Sequence, residues 1–143
     1  VLARHAHIGS IRQAEQLAMA IDRASPILIV DDYSRMLRII RGLLRQLGYE
    51  QVEEACDGAT ALAKLRQKPY RLVISDWNME PMSGLELLRQ VRADPALAAT
   101  PFIMITAEAR EAKIAEAQQA GVDGYIIKPF GAEALNTKIA AIA

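Results

Sequence analysis

Short apolar runs recur along this chain, and each closes on a polar side chain. Ile27 to Val30 is followed by Asp31 and Asp32, Leu72 to Ser75 by Asp76, Phe102 to Ile105 by Thr106, and Tyr125 to Ile127 by Lys128. Runs of this length predict buried strands, and their near-continuous apolarity points to strands covered on both faces. A shorter strand is predicted at about Val52 to Ala55.

Between these runs the apolar spacing changes to that of helices. Met36, Leu37, Ile40, Leu43, Leu44 and Leu47 line one face of a first helix, with Gly48 placed to end it in a left-handed turn. A second runs from about Ala59 to Arg66 with Asp57 as its N-cap. A third starts near Gly84, where Ser83 and Glu86 have the spacing of a capping box and Leu85, Leu88 and Val91 give an inner face; Asp94-Pro95 stops it. The fourth, about Arg110 to Ala120, has a thin stripe of Ile114, Ala117 and Ala120 before Gly121, which predicts a shallowly anchored helix. The fifth begins near Ala132 and is expected to bury Leu135, Ile139 and Ile142.

Alternating strands and helices with short connections predict an α/β domain over residues 26–143, doubly wound about a parallel sheet. In open sheets of this kind ligands bind beyond the carboxyl ends of the strands, where the strand order reverses. The polar strand ends would converge on that rim.

Residues 1–25 stand outside the pattern. Ile8, Ile11, Leu17 and Ile21 predict an amphipathic helix from about Ser10 to Ala24, able to pack on the domain, pair with a second copy, or continue an upstream segment. His5 and His7 read as solvated, because no acidic or thiol companion completes a metal ligand set.

Composition narrows the partner. Seventeen basic residues balance 17 acidic ones among 143, so there is no electrostatic case for nucleic acid or a membrane surface, and a protein or small molecule is expected. No apolar run approaches membrane-spanning length. A single cysteine, Cys56, excludes an internal disulfide framework, fits a reducing, cytoplasmic setting, and is expected to serve as a small core hydrophobe.

Three carboxylates on one rim repel one another, so Asp31, Asp32 and Asp76 call for a neutralising cation. Mg²⁺ suits them, since it takes hard oxygen ligands, retains waters and needs only one or two protein carboxylates. Lys128 adds an ammonium and Thr106 a hydroxyl, and together the set meets the needs of phosphoryl transfer, where catalysis is positioning and charge neutralisation. Asp76, ending the middle strand, is the best candidate nucleophile, forming an acyl phosphate. Singly, a strand-end Asp is usually a turn former and a Lys there usually solvated. Four strand ends carrying this set together outweigh that reading. The chain has neither a GxxxxGK[ST] loop nor a GxGxxG fingerprint.

Several segments taken in order resemble the receiver domains of two-component response regulators, the chemotaxis regulators above all. They are Val30 to Ser34, Val52 to Ala55, Ser75 to Met79, Gly84 to Leu88, Thr106 to Ala109 and Gly124 to Phe130, and the likeness extends over about Pro26 to Ile142. The resemblance implies a flavodoxin-like five-stranded sheet of order 2-1-3-4-5. It implies Asp76 as phosphoacceptor for a histidine kinase, and Mg²⁺ held by Asp32, Asp76 and the backbone carbonyl of Asn78, with Asp31 acting largely through water. Lys128 resembles the lysine that pairs with the phosphoryl group and is followed by a cis proline bond; Thr106 and Tyr125 resemble the pair that switches on phosphorylation, the hydroxyl turning towards the phosphoryl oxygen and the aromatic ring moving inward. Asn78 and Glu108 resemble residues bordering the phosphoryl group. The implied output is a protein, the flagellar motor switch, bound through the face of the fourth helix, fifth strand and fifth helix; no output domain is expected beyond Ala143.

The chain departs from the pattern at Glu80 and Pro81, where proline commonly follows the methionine directly, and at Ser83, where an acidic residue is frequent. Other readings carry the same residues: a stand-alone receiver or phosphate sink in another pathway, a receiver within a longer protein, or a metal-dependent phosphohydrolase with Asp76 as nucleophile. A receiver itself turns over only its own acyl phosphate and is not an enzyme acting on external substrates.

Overall fold

A computed structural model describes residues 21–142. Its elements run β1 (Ile27–Val30), α1 (Ser34–Gln46), β2 (Val52–Ala55), α2 (Gly58–Gln67), β3 (Leu72–Asp76), α3 (Gly84–Ala93), β4 (Phe102–Thr106), α4 (Glu111–Gln119), β5 (Gly124–Ile127) and α5 (Ala132–Ala140). The strands form one parallel sheet in the order β2-β1-β3-β4-β5, the flavodoxin-like arrangement. The order reverses between β1 and β3, so the crevice at the carboxyl ends of these two strands is the expected binding position.

Strand pleating sorts the core into two layers, because alternate side chains point to opposite faces. Leu28, Val30, Val73, Phe102 and Met104 pack against Leu62 and Leu65 of α2, Leu85, Leu88 and Val91 of α3, and Ala117 of α4. Ile27, Ile29, Leu72, Ile74, Ile103, Ile105 and Ile126 face Leu37, Ile40 and Leu44 of α1 and Leu135 and Ile139 of α5. Complete burial of the three central strands explains why they read as unbroken apolar runs.

Local sequence fixes the helix ends. The Thr60 amide donates to Asp57 Oδ1 at 2.7 Å, and the Glu86 amide to Ser83 Oγ at 3.1 Å. Gly48 and Gly121 adopt φ of 96° and 94°, the left-handed region that ends α1 and α4. Arg92 of α3 binds the far end of α4: its guanidinium donates to the carbonyls of Gly121, Ala98 and Thr100 and to Asp123 Oδ2, at 2.6 to 3.1 Å. In α4 itself only Ala117 is buried, and Ile114 is half-buried, as its thin stripe predicts.

Three expectations need correction or restriction. Cys56 is exposed, not a core residue: β2 ends at Ala55, which takes the last inward position, and Cys56 falls in the turn beyond it. Ile142 lies past the end of α5 and is only half-buried, packed on the edge of the core. The helix expected from about Ser10 to Ala24 lies mostly outside the described residues, as do His5 and His7; of its described end, residues 22–25 form a turn in which the Ser25 amide donates to the Asp22 carbonyl. Just before that turn Ile21 is buried among Ile27, Leu44 and Tyr49, and Arg23 lies over the Tyr49 ring with a 2.7 Å hydrogen bond to its hydroxyl. Among the described residues no helix is long and apolar enough to cross a membrane.

Candidate phosphorylation site

Register brings the polar strand ends together. Val30 lies beside Ser75, so Asp31, one residue on, comes level with Asp76. Asp76 pairs with Ile105, which sets Thr106 one step further along β4, and the Thr106 carbonyl accepts from the Lys128 amide at 2.8 Å. Carboxylate oxygens of Asp31, Asp32 and Asp76 all lie within 4.8 Å of one another. Lys128 Nζ stands 2.9 Å from Asp76 Oδ1. The strand parity that separates the two core layers also divides the rim. Asp31, Asp76 and Lys128 share the parity of the layer under α1 and α5, whereas Thr106 and Tyr125 share that of the layer under α4.

Burial makes this cluster costly without a cation. Asp31 and Asp76 are almost wholly buried, while Asp32 is exposed. Asp31 Oδ1 accepts from the Tyr33 amide at 2.9 Å, leaving Oδ2 buried with no hydrogen-bond partner. Asp76 Oδ1 likewise has no aligned donor, so its contact with Lys128 is ionic rather than a directed hydrogen bond. Burial, reinforced by the neighbouring Asp76 and Asp32, pushes the Asp31 carboxyl up to about 6, against the pull of the Tyr33 amide and Lys128. Two buried carboxylate oxygens without a hydrogen-bond donor, both hard ligands, fit a small divalent cation.

Tight backbone packing shapes the wall after Asp76. The Trp77 carbonyl accepts from the amides of Met79 and Gly84, folding residues 78–83 into a compact loop. A Cβ at Gly84 would overlap the Asp76 carbonyl, so only glycine lets α3 start this close to the strand. Asn78 and Glu80 are exposed on this loop, Met79 is buried, and Met82 packs over Gly58 at the start of α2. Both the Glu80-Pro81 and the Lys128-Pro129 bonds are cis.

On the α4 side, the Glu108 amide donates to Thr106 Oγ1 at 3.1 Å, and the Tyr125 hydroxyl donates to the Glu108 carbonyl at 2.8 Å. One residue thus binds both members of the expected switch pair. Burial pushes the Tyr125 phenol above its ordinary range, partly offset by the Thr106 hydroxyl beside it, so it stays a donor throughout the neutral range. Tyr125 meets Trp77 edge-on, with centroids 6.3 Å apart. Neither the Glu108 carbonyl nor the Trp77 ring was identifiable as its partner from sequence, because nothing local predicts a contact between residues so far apart in the chain.

A profile of the response regulator receiver domain matches residues 27–140. The chain belongs to the response regulator receiver family. Among receivers it is similar to the chemotaxis protein CheY of Pseudomonas aeruginosa, 53% identical over 116 residues that span 81% of this chain and 94% of that protein. It is also similar to CheY-3 of Vibrio cholerae, 50% identical over 119 residues, 83% of this chain and 92% of that one. Among solved structures, the CheY4 receiver of Vibrio cholerae superimposes with a TM-score of 0.78 at 34% identity, over 84% of this chain and 99% of that one. The receiver domain of a Pseudomonas aeruginosa sensor histidine kinase, solved with a magnesium ion coordinated in its active site cleft, gives 0.75 at 28% identity over 83% and 97%. As a CheY-like receiver, the chain is a signalling protein of a two-component system.

Proposed function

We propose that this receiver accepts a phosphoryl group on Asp76 from a histidine kinase of the chemotaxis type and signals by binding a protein, the flagellar motor switch, through the face of α4, β5 and α5. The observation that carries the reading is the buried carboxylate pair Asp31 and Asp76 with Lys128 2.9 Å from the latter, in a chain half identical to chemotaxis proteins. Its setting is the cytoplasm, which the single unpaired Cys56 suits.

An oxygen of the Asp76 carboxylate attacks phosphorus, and the bond from phosphorus to the donor imidazole nitrogen breaks. Its electron pair stays on that nitrogen while the other ring nitrogen of the phosphorylated imidazole keeps its proton, so neutral imidazole leaves and an aspartyl phosphate forms. Asp31, Asp32, Asp76 and the Asn78 carbonyl are the groups that would hold Mg²⁺, which supplies charge neutralisation for the phosphoryl oxygens. Lys128 brings a second positive charge to Asp76, and its backbone bond to Thr106 fixes the strand end that carries it. The Thr106 hydroxyl has one proton and two lone pairs, so it can keep the Glu108 amide as donor while its proton turns to a phosphoryl oxygen. Tyr125 then reports that rotation to the α4 face, because its hydroxyl is bonded to the same residue, Glu108.

Trp77 adjoins Asp76, and its fluorescence should change with Mg²⁺ and again with a small phosphodonor such as acetyl phosphate. Asp76→Asn should abolish the second change, and the phosphorylated parent alone should retain the motor switch protein in a pull-down. A phosphodonor response in Asp76→Asn equal to that of the parent removes the assignment. Rapid turnover of external phosphomonoesters would instead mark a phosphohydrolase.

A further inference from the structure

A helix that buries one side chain must be fastened by other means. The Arg92 guanidinium binds the C-terminal end of α4. Its N-terminal end has no side-chain cap, since Arg110 occupies that position and turns instead to the Glu108 carboxylate, with 2.8 and 3.0 Å contacts. In the first turn Lys113 reaches back to the sheet, its ammonium lying over the Trp77 ring, 5.3 Å from its centroid. The competing partners are Glu116, three residues on, at 3.9 Å and also approached by Arg89 at 4.0 Å, and more weakly the Glu108 carboxylate, which is already paired with Arg110. A half-exposed pair at that spacing is weak, and it leaves the ammonium free to remain over the ring.

Trp77 is well placed to pass this contact on. Its backbone is part of the sheet ladder, with the amide donating to the Ile105 carbonyl at 2.9 Å, so the ring is anchored one residue beyond Asp76. One side of the buried indole meets Lys113, and the ring meets Tyr125 at an interplanar angle of 77°. A Tyr125 ring swung outward would lose both this packing and its bond to Glu108. The geometry points to Lys113 as a positioning residue of the switch: it holds the first turn of α4 on Trp77 and so favours the inward arrangement of Tyr125.

This role rests on the reading of Asp76 as phosphoacceptor and of Tyr125 as reporter. By linkage, a contact that favours the arrangement selected by modified Asp76 also makes a mimic of that modification bind more tightly. A cation over an aromatic face at an exposed site corresponds to a bias of about two- to fivefold.

The test uses the full chain, its Lys113→Met variant, which keeps an apolar stem without charge, and Lys113→Arg, which keeps a cation over the ring. Acrylamide quenching of Trp77 without phosphodonor measures the contact alone, and titration with beryllofluoride in saturating Mg²⁺ measures the switch. Lys113→Met should make Trp77 more quenchable and raise the half-maximal beryllofluoride concentration about two- to fivefold, with Lys113→Arg following the parent. Unchanged quenching in Lys113→Met overturns the contact. An unshifted midpoint in Lys113→Met, or an equal shift in Lys113→Arg, overturns the positioning role. A parent that ignores beryllofluoride overturns the phosphoacceptor reading itself and, with it, the role that rests on it.

Discussion

The Lys128 ammonium lies 2.9 Å from Asp76 Oδ1, and the Lys128 amide is bonded to the carbonyl of Thr106. The cation is therefore positioned by the same strand end that carries the hydroxyl expected to turn toward a phosphoryl group. Lys128→Met keeps the apolar stem and removes the charge. Loss of one preorganised positive group beside developing phosphoryl charge should slow formation of the Asp76 acyl phosphate by on the order of 10²-fold. The initial rate with acetyl phosphate, followed by intact mass, measures this directly; a rate equal to that of the parent would leave Lys128 without a part in the transfer.

Asp31 predicts how the site depends on pH. Its carboxyl is raised from 3.8 to about 6 by burial first and by the neighbouring carboxylates after that. Between these values the folded metal-free protein holds a proton that the unfolded chain has released. The contribution of this group to stability is thus fully present below pH 3.8 and is lost as pH rises through about 6. Mg²⁺ should reverse the trend above that point, and its apparent affinity should fall as pH drops below about 6, because the proton competes for the same carboxylate. Mg²⁺ titrations of Trp77 fluorescence at several pH values, with thermal melts in the presence of a chelator, separate the two effects. Asp31→Asn should flatten both dependences across this range.

Thr106 and Tyr125 should respond differently to loss of their hydroxyls. Thr106→Val preserves shape but removes the acceptor of the Glu108 amide, at a cost of about 1 to 3 kcal/mol if the amide finds no water. Thr106→Ser should recover most of that. Tyr125→Phe removes one part-buried hydrogen bond from half-exposed Glu108 and should cost about 1 kcal/mol while speeding hydrogen exchange around residues 108–110. Urea unfolding measures the stabilities, and exchange monitored by mass spectrometry measures the local effect.

These residues also show what could be read from the chain alone. The strands were legible because Leu72 to Ile74 and Phe102 to Ile105 are buried on both faces, and sequence displays that as unbroken apolarity. The rim was legible because a parallel sheet aligns strand ends, so Asp31, Asp76 and Lys128 needed only the correct topology to meet, with Thr106 beside them on the same rim. Cys56 was misjudged because burial habit is an average over positions, whereas one residue past the end of β2 its side chain has no strand left to turn it inward. The contacts of Trp77 with Lys113 and Tyr125 lay beyond reach, since they depend on how α4 sits over the sheet and on no periodicity in either segment.

The Arg92 clasp fastens α4 at one end only. Its guanidinium ties Gly121, Asp123 and the loop before β4 into one unit at the C-terminal end of α4, while the other end rests on softer contacts. Such a helix is hinged at its last turn and lightly held at its first. An adjustment beside Thr106 is therefore expected to displace residues 110–114 more than residues 118–121. A partner gripping the first turn would sense the signal directly, and one gripping the last turn would sense little of it.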